Sequence, residues 1–212
     1  MTEWRALAAS KQERFEAPHG ALDERALLRL GNTAYAAALA LRMDGSREAI
    51  AWFRRAAESW AASWELAEAG AWGRPVGILK ASLLAGADAD TDAYARRTLA
   101  LEPEHASSPI GRYAAVLALL ASGRFDEARL VASSLCGSTD FPHDVGDALD
   151  ALAAGDAARA NVAIASVVTS FETRSEYLED VPVADTALVL HVLGEQRGLA
   201  VELPRSPVLP GE

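Results

Sequence analysis

The stretch SPIGRYAAVLALLASGRFDEARLVASSL, residues 108–135, decides the fold of this chain. Residues 112–120 form an apolar segment of good helix formers. Gly123 follows it closely and favours a helix end there, because glycine readily adopts a positive φ. Residues 125–135 again have the composition of a helix. Since the connection is only about three residues long, the two helices are predicted to lie side by side and antiparallel.

The same pattern occurs at three other places in the chain. Gly45, Gly86 and Gly155 each follow an apolar segment and precede a second segment of helical composition. On the inner faces of the second helices, the equivalent small residues are predicted to be Ala49, Ala93, Ala128 and Ala158. These positions lie 44, 35 and 30 residues apart.

Two short stretches add a resemblance to this irregular spacing. GRFDEA at 123–128 and LALEPEH at 99–105 are similar to parts of the tetratricopeptide repeat, whose period is about 34 residues. We therefore expect an all-α fold of stacked antiparallel helical hairpins, a tetratricopeptide-like α-solenoid. The last ten residues, LPRSPVLPGE, contain three prolines and are predicted to form a short extended tail.

Length and composition favour one domain. The chain has 212 residues, half of them hydrophobic, which is enough apolar material for one sizeable core. We expect a single all-helical domain over residues 1–212, with N-terminal hairpins in 1–106 and acidic hairpins with the tail in 107–212. The oligomeric state does not follow from these features.

The ends and apolar runs of the chain predict its location. The start, MTEWRALAASKQERF, is charged throughout and lacks the apolar region of a signal peptide. The longest apolar runs are far shorter than the roughly 20 residues that cross a bilayer. We therefore expect a cytoplasmic protein without a membrane span. The single cysteine, Cys136, excludes a disulfide within one chain.

Charge is unevenly distributed along the chain. The net charge is −10, of which residues 1–106 contribute −2 and residues 107–212 contribute −8. Such a surface repels nucleic acid and anionic membranes, and it attracts basic proteins. We therefore predict a protein partner, in particular a basic one such as a toxin, and neither nucleic acid nor membrane as a partner.

The acidic residues between 129 and 159 are the candidate partner-binding residues. No Arg or Lys lies between those two positions, and the candidates are Asp140, Asp144, Asp147 and Asp150. The last three recur every three residues and are predicted to form an acidic stripe on one helix. The alternative is that this stripe is simply a solvated helix face.

Residues suited to catalysis or metal binding are few. His143 and Asp144 follow Cys136 by seven residues, but no third ligand has matching spacing, and His191 lies within an apolar helical stretch. No phosphate-binding glycine loop or zinc-helix histidine pair is present. We predict no catalytic residues, no metal and no cofactor. An enzyme with a site in a helical cavity, using His143, Asp144 or His191, is the alternative.

Tryptophans mark one further helix, predicted over residues 46–69. At 100° per residue, Trp52, Trp60 and Trp64 share one face with small alanines. One interpretation is that these side chains anchor the core. The other is that they line an aromatic groove for a small molecule, in which case the protein would be a sensor.

The C-terminal part resembles a known family. Residues 148–210 read ALDALAAGDAARANVAIASVVTSFETRSEYLEDVPVADTALVLHVLGEQRGLAVELPRSPVLP. The order of elements, ending in Gly198, an extended segment and a Leu-Pro close, is similar to the C-terminal half of the immunity-protein-49 family of bacterial polymorphic-toxin systems. That resemblance implies an all-helical, non-enzymatic protein that binds and neutralises a cognate toxin. A helical-repeat adaptor, or a structural subunit of a larger assembly, is the alternative binding role.

Overall fold

The computed structural model describes residues 2–86 and 88–211. All regular secondary structure in these ranges is helical. The α-helices are α1 Glu3–Glu16, α2 Glu24–Met43, α3 Ala49–Leu66, α4 Gly73–Leu84, α5 Ala89–Leu99, α6 Pro109–Ala121, α7 Phe125–Cys136, α8 His143–Ala154, α9 Ala157–Glu172 and α10 Asp185–Gln196. Single 3-10 turns lie at Pro103–His105 and Leu178–Asp180. No β-strand occurs within the described ranges. The prediction of an all-α fold is confirmed.

In four helix pairs a glycine lies in the connection between the two helices, as the sequence predicts. Gly45, Gly86, Gly123 and Gly155 connect α2 to α3, α4 to α5, α6 to α7 and α8 to α9, and all have positive φ, from 69° to 122°. A side chain at such a φ is strained, whereas glycine is not. Each connection is short, so the two helices of a pair lie against each other.

The helices form a layered array that α10 closes. Each helix from α1 to α9 packs on the next in sequence, and α10 packs against α4, α6, α8 and α9. Helix α6 is buried along residues 113–120 without interruption, which fits its nearly uniform apolar composition. Buried side chains from Ala8 to Leu209 form one continuous hydrophobic core.

Helix α3 places two of its three tryptophans in the core. It is shorter than the predicted 46–69 helix, and Trp52 and Trp60 are buried. The indole N–H of Trp60 donates to the side-chain oxygen of Asn32 at 3.0 Å, and its ring lies 5.1 Å from that of Tyr35. Trp64 is half-buried, with the Arg97 guanidinium 4.1 Å from its ring centre. Trp52 and Trp60 are therefore core anchors, and the aromatic-groove interpretation is wrong for them.

The predicted equivalence of small residues is half right. Ala49 and Ala128 are buried as expected, but Ala93 and Ala158 are exposed. The buried alanines of α5 and α9 include Ala95 and Ala160, each two residues further along. Two residues correspond to about 200° around a helix, so this shift moves a side chain to the opposite face.

The C-terminal tail is extended and packs on the last two helices. It leaves α10 at Gly198, whose φ is 75°. Val201 packs against Gly194 of α10, and the side chain of Asn161 on α9 bonds the backbone on both sides of Val201. The amide of Ala184, just before α10, donates to the carbonyl of Val208 at 2.8 Å.

None of the helices in residues 2–86 and 88–211 combines the length and apolar character that a membrane span requires.

Candidate functional site

The predicted acidic residues lie around α8. Asp140 is in the exposed turn before the helix, and Asp147 is exposed on it. Asp144 is half-buried, and its carboxylate accepts from the backbone N–H of Val145 at 2.9 Å. Neither Asp140, Asp144 nor Asp147 has a cationic side chain within 4 Å among the described residues. These three carboxylates are thus left without an ion pair in the described part of the chain.

A groove of about 630 Å³ runs between α8 and α9, and we call it the α8–α9 groove. On the α8 side it is lined by His143, Asp144 and Asp147, and on the α9 side by residues that include Arg159 and Val162. Val162 is 74% exposed, and Ala158 and Ala163 line the same side of the groove. The groove therefore combines an apolar wall with a rim of carboxylates.

Asp150 differs from the other three candidates. Its side chain is only 15% exposed and forms an ion pair with Arg159 of α9, with 2.9 Å between Oδ2 and Nη2. Ser133 of α7 donates to its other oxygen at 3.4 Å. Although no basic residue lies near Asp150 in sequence, the α8–α9 turn brings one to it in space. The acidic stripe is therefore neutralised at this position.

Cys136 and His143 lie close together, but not as a reactive pair. The Nδ1 atom of His143 lies 3.2 Å from the backbone carbonyl oxygen of Cys136. Burial raises the pKa of the Cys136 thiol, and the carboxylates of Asp147 and Asp150 raise it further. The thiol is therefore protonated near neutral pH, which makes it a poor nucleophile. Among the described residues, no three His, Cys, Asp or Glu side chains are grouped as metal ligands would be.

His191 lies apart from His143. It is on α10, where its Nδ1 atom is 3.5 Å from the Glu195 carboxylate one turn later. It lines a separate groove of about 690 Å³ that is formed with the C-terminal tail. His143 and Asp144 share the α8–α9 groove, whereas His191 is not brought to them.

A polar cluster that the sequence analysis missed lies where α2, α4 and α10 meet. The Lys80 ammonium is 2.5 Å from Oδ2 of Asp185 and donates to the Thr186 hydroxyl at 3.1 Å. The hydroxyl of Tyr35 donates to the same Asp185 oxygen at 3.1 Å. The hydroxyl of Tyr113 is buried close to Thr186, yet it makes no hydrogen bond of good geometry.

Both tyrosines of the cluster remain neutral. Burial raises the pKa of Tyr35 well above its usual value, and the Asp185 carboxylate raises it further. Burial likewise raises the pKa of Tyr113, with a smaller contribution from Asp185. Deprotonation would place a second negative charge beside Asp185 in a poorly solvated region.

This cluster forms the floor of a cleft of about 320 Å³, which we call the C-terminal cleft. Lys80, Asp185 and Thr186 lie on its floor, and the segment 174–183 lines one side. Arg174 and Glu176 of that segment also line the cleft.

One sequence signal could have pointed to the cluster. Only two of the 20 basic residues are lysines, Lys11 and Lys80. Both form ion pairs with the C-terminal part of the chain, Lys11 with Glu179 and Lys80 with Asp185. Their partners lie more than 100 residues away in sequence, so no local pattern predicts the pairs.

Comparison with known proteins gives no relative from which to transfer a site. No family model, curated protein or solved structure matches this chain.

Proposed function

We propose that this chain is a non-enzymatic protein-binding module that docks a basic protein partner on its acidic C-terminal half. The observation that carries the proposal is the α8–α9 groove, which brings the exposed side chain of Val162 on α9 together with Asp144 and Asp147 on α8. Neither carboxylate forms an ion pair among the described residues. Apolar contact supplies affinity at such a surface, whereas the charges mainly accelerate encounter and select the partner.

The more specific form of the proposal is an immunity protein that neutralises a cognate bacterial toxin. The resemblance of residues 148–210 supports it, and these residues form α9, α10, the tail and most of α8. A basic toxin would be attracted by the net charge of −8 on residues 107–212, which would speed its association. We place this protein in the cytoplasm, where such a partner would be neutralised.

The arrangement of the helices supports a binding role as well. Glycine-terminated helix pairs, packed one on the next, favour a surface of the kind that tetratricopeptide-like solenoids use to bind partners. A helical-repeat adaptor or a structural subunit would use the same surface. A toxin encoded beside the gene would favour the immunity protein over these two roles.

The test measures association with a candidate partner, a basic protein chosen from those that neighbouring genes encode. Asp144→Asn and Asp147→Asn together should slow association and flatten its dependence on salt between about 0.05 and 0.5 M. The matched control is Glu13→Gln with Glu68→Gln, which removes two exposed charges from the N-terminal half. Equal rates and salt slopes for both double variants would contradict docking at the groove.

A second measurement addresses the enzyme alternative. His143→Asn and His191→Leu should weaken neutralisation of the partner by no more than a few-fold, because His143 supplies only one of the contacts in the α8–α9 groove and binding does not need an acid–base group. General acid–base residues typically contribute about 10²–10⁴-fold to a rate. A loss of that size, with the fold preserved, would favour the enzyme instead.

A further inference from the structure

The C-terminal cleft has the composition of a small-molecule site. Its volume of about 320 Å³ is at the lower end of ligand cavities, which span roughly 300–1,000 Å³. Leu39 of α2, Phe171 of α9 and Val181 contribute apolar surface to its walls. The cleft thus suits a molecule of amino-acid size rather than a nucleotide.

The floor keeps hydrogen-bonding capacity for a ligand. An ammonium has three N–H donors, and Lys80 uses two of them, on Asp185 and Thr186. Lys80 and Asp185 are only 13% and 15% exposed, and the cleft is the opening that both line. A half-buried ion pair contributes little net stability by itself. Stability therefore does not account for the position of this pair at the base of a cleft, whereas ligand binding would.

The other wall carries one charge of each sign. The Arg174 guanidinium lies 3.7 Å from the centre of the Phe171 ring and forms no ion pair among the described residues. Glu176, two residues further on, is exposed and likewise forms no ion pair there. Ring contact positions the guanidinium without using its N–H donors.

Four charged side chains therefore line the cleft, two cationic and two anionic. An anionic ligand would be repelled by Asp185 and Glu176, and a cationic ligand by Lys80 and Arg174. A zwitterion meets both pairs favourably, with its carboxylate near the cations and its ammonium near the carboxylates. We propose that the C-terminal cleft binds a free α-amino acid with an apolar side chain.

Binding is tested on the full chain with L-leucine and L-phenylalanine as probes, by NMR titration and thermal shift. N-acetyl-L-leucine and L-leucinamide are the matched ligand controls, because each keeps the side chain and loses one charge. The zwitterions should shift the signals of Thr186 and residues 174–183 and raise the melting temperature. Equal binding of either control, or no saturable shift with any zwitterion, would overturn the proposal.

Variants on the exposed wall separate ligand binding from folding. Arg174→Gln and Glu176→Gln should each weaken leucine binding by about tenfold or more, the effect of losing one charge-assisted hydrogen bond. Arg129→Gln and Glu68→Gln are the controls, since both side chains are exposed elsewhere and form no ion pair within residues 2–86 and 88–211. All four variants should unfold like the parent. Unchanged affinity in both wall variants would refute the charge assignment even if leucine bound.

Discussion

At the scale of single residues, the Lys80–Asp185 pair links α4 to the start of α10. The two charges lie 2.5 Å apart with small exposed fractions, and the Tyr35 hydroxyl bonds the same carboxylate. Forming such a pair costs desolvation, so its net contribution to stability is small. Removing one partner lowers the free energy of unfolding much more, because the other charge is left buried and unpaired.

This asymmetry predicts a rescue. Lys80→Met should lower the free energy of unfolding by about 3 kcal/mol, the low end for buried pairs because both side chains keep some exposure. Adding Asp185→Asn removes the orphaned charge and keeps an acceptor for Tyr35, so the double variant should recover much of the loss. Urea unfolding of the parent, both single variants and the double variant measures the coupling. Additive losses would show that the two side chains do not interact.

Cys136 gives a second prediction at this scale. Because burial and the nearby carboxylates raise its thiol pKa, the thiolate fraction at pH 8 is below that of an ordinary cysteine. Alkylation by iodoacetamide should be correspondingly slow, with its pH midpoint above that of a model thiol. Asp147→Asn removes one negative charge, lowers the pKa and should speed the reaction at pH 8. Asp92→Asn, an exposed change on another helix, should leave the rate unchanged.

At the scale of helices, Trp60 fixes how α2, α3 and α4 approach each other. Gly31 of α2 and Gly77 of α4 both face its indole, and a Cβ atom at Gly77 would lie 2.9 Å from the ring. At Gly31 the approach is closer still. Glycine has a lower helix propensity than alanine, but only glycine leaves room for the Trp60 ring at these two positions.

Alanine substitution tests this packing. Gly77→Ala gains about 1 kcal/mol of helix propensity. The clash with Trp60 should cost more, within the 1–3 kcal/mol that overpacking typically costs, so the variant should melt below the parent. Gly31→Ala should cost more than Gly77→Ala. The control is Gly73→Ala at the start of α4, where a Cβ meets nothing within 4 Å. A Gly77→Ala protein as stable as the Gly73→Ala protein would contradict the close approach.

The helices also show which features a sequence can predict. The glycine-ended hairpins follow from local chemistry, and α6 and α7 lie within a residue or a few of the predicted segments. The residues on the inner face of α5 depend on where the helix begins. The sequence did not define that start, so Ala93 was predicted to face inward, whereas Ala95 does. Helix α10 was predicted as apolar, but its position against α4, α6 and α8 depends on packing between distant segments.

At the scale of the whole molecule, contacts between different helices build both candidate sites. Arg159 reaches Asp150 across a turn, and Lys80 reaches Asp185 across more than 100 residues. Charge counts along the chain predicted an acidic half, which is a sum over many residues. They could not predict which carboxylates are neutralised, because each ion pair depends on the geometry of two helices.

One carboxylate joins α1 to the segment that precedes α10. Glu179 accepts from Lys11 at 3.4 Å and from Arg14 at 2.5 Å, both on α1. Glu179 and Asp180 have φ of 55° and 60°, a conformation that costs a residue with a side chain roughly 1–2 kcal/mol. Such strain persists only where surrounding contacts hold it in place. The ion pairs with α1 are contacts of that kind, and they fix the segment that walls the C-terminal cleft.

Removing this charge should therefore loosen the segment without unfolding the protein. Glu179→Gln keeps the size and the backbone strain and loses the ionic attraction. Hydrogen exchange of the amides in residues 174–183 should become roughly three- to tenfold faster, while exchange in α6 stays unchanged. Glu176→Gln removes a carboxylate of the same segment that forms no ion pair in the described part of the chain, and it should have no such effect on exchange. If the two variants exchange alike, the segment is held by the burial of Val181 and Val183 and not by its link to α1.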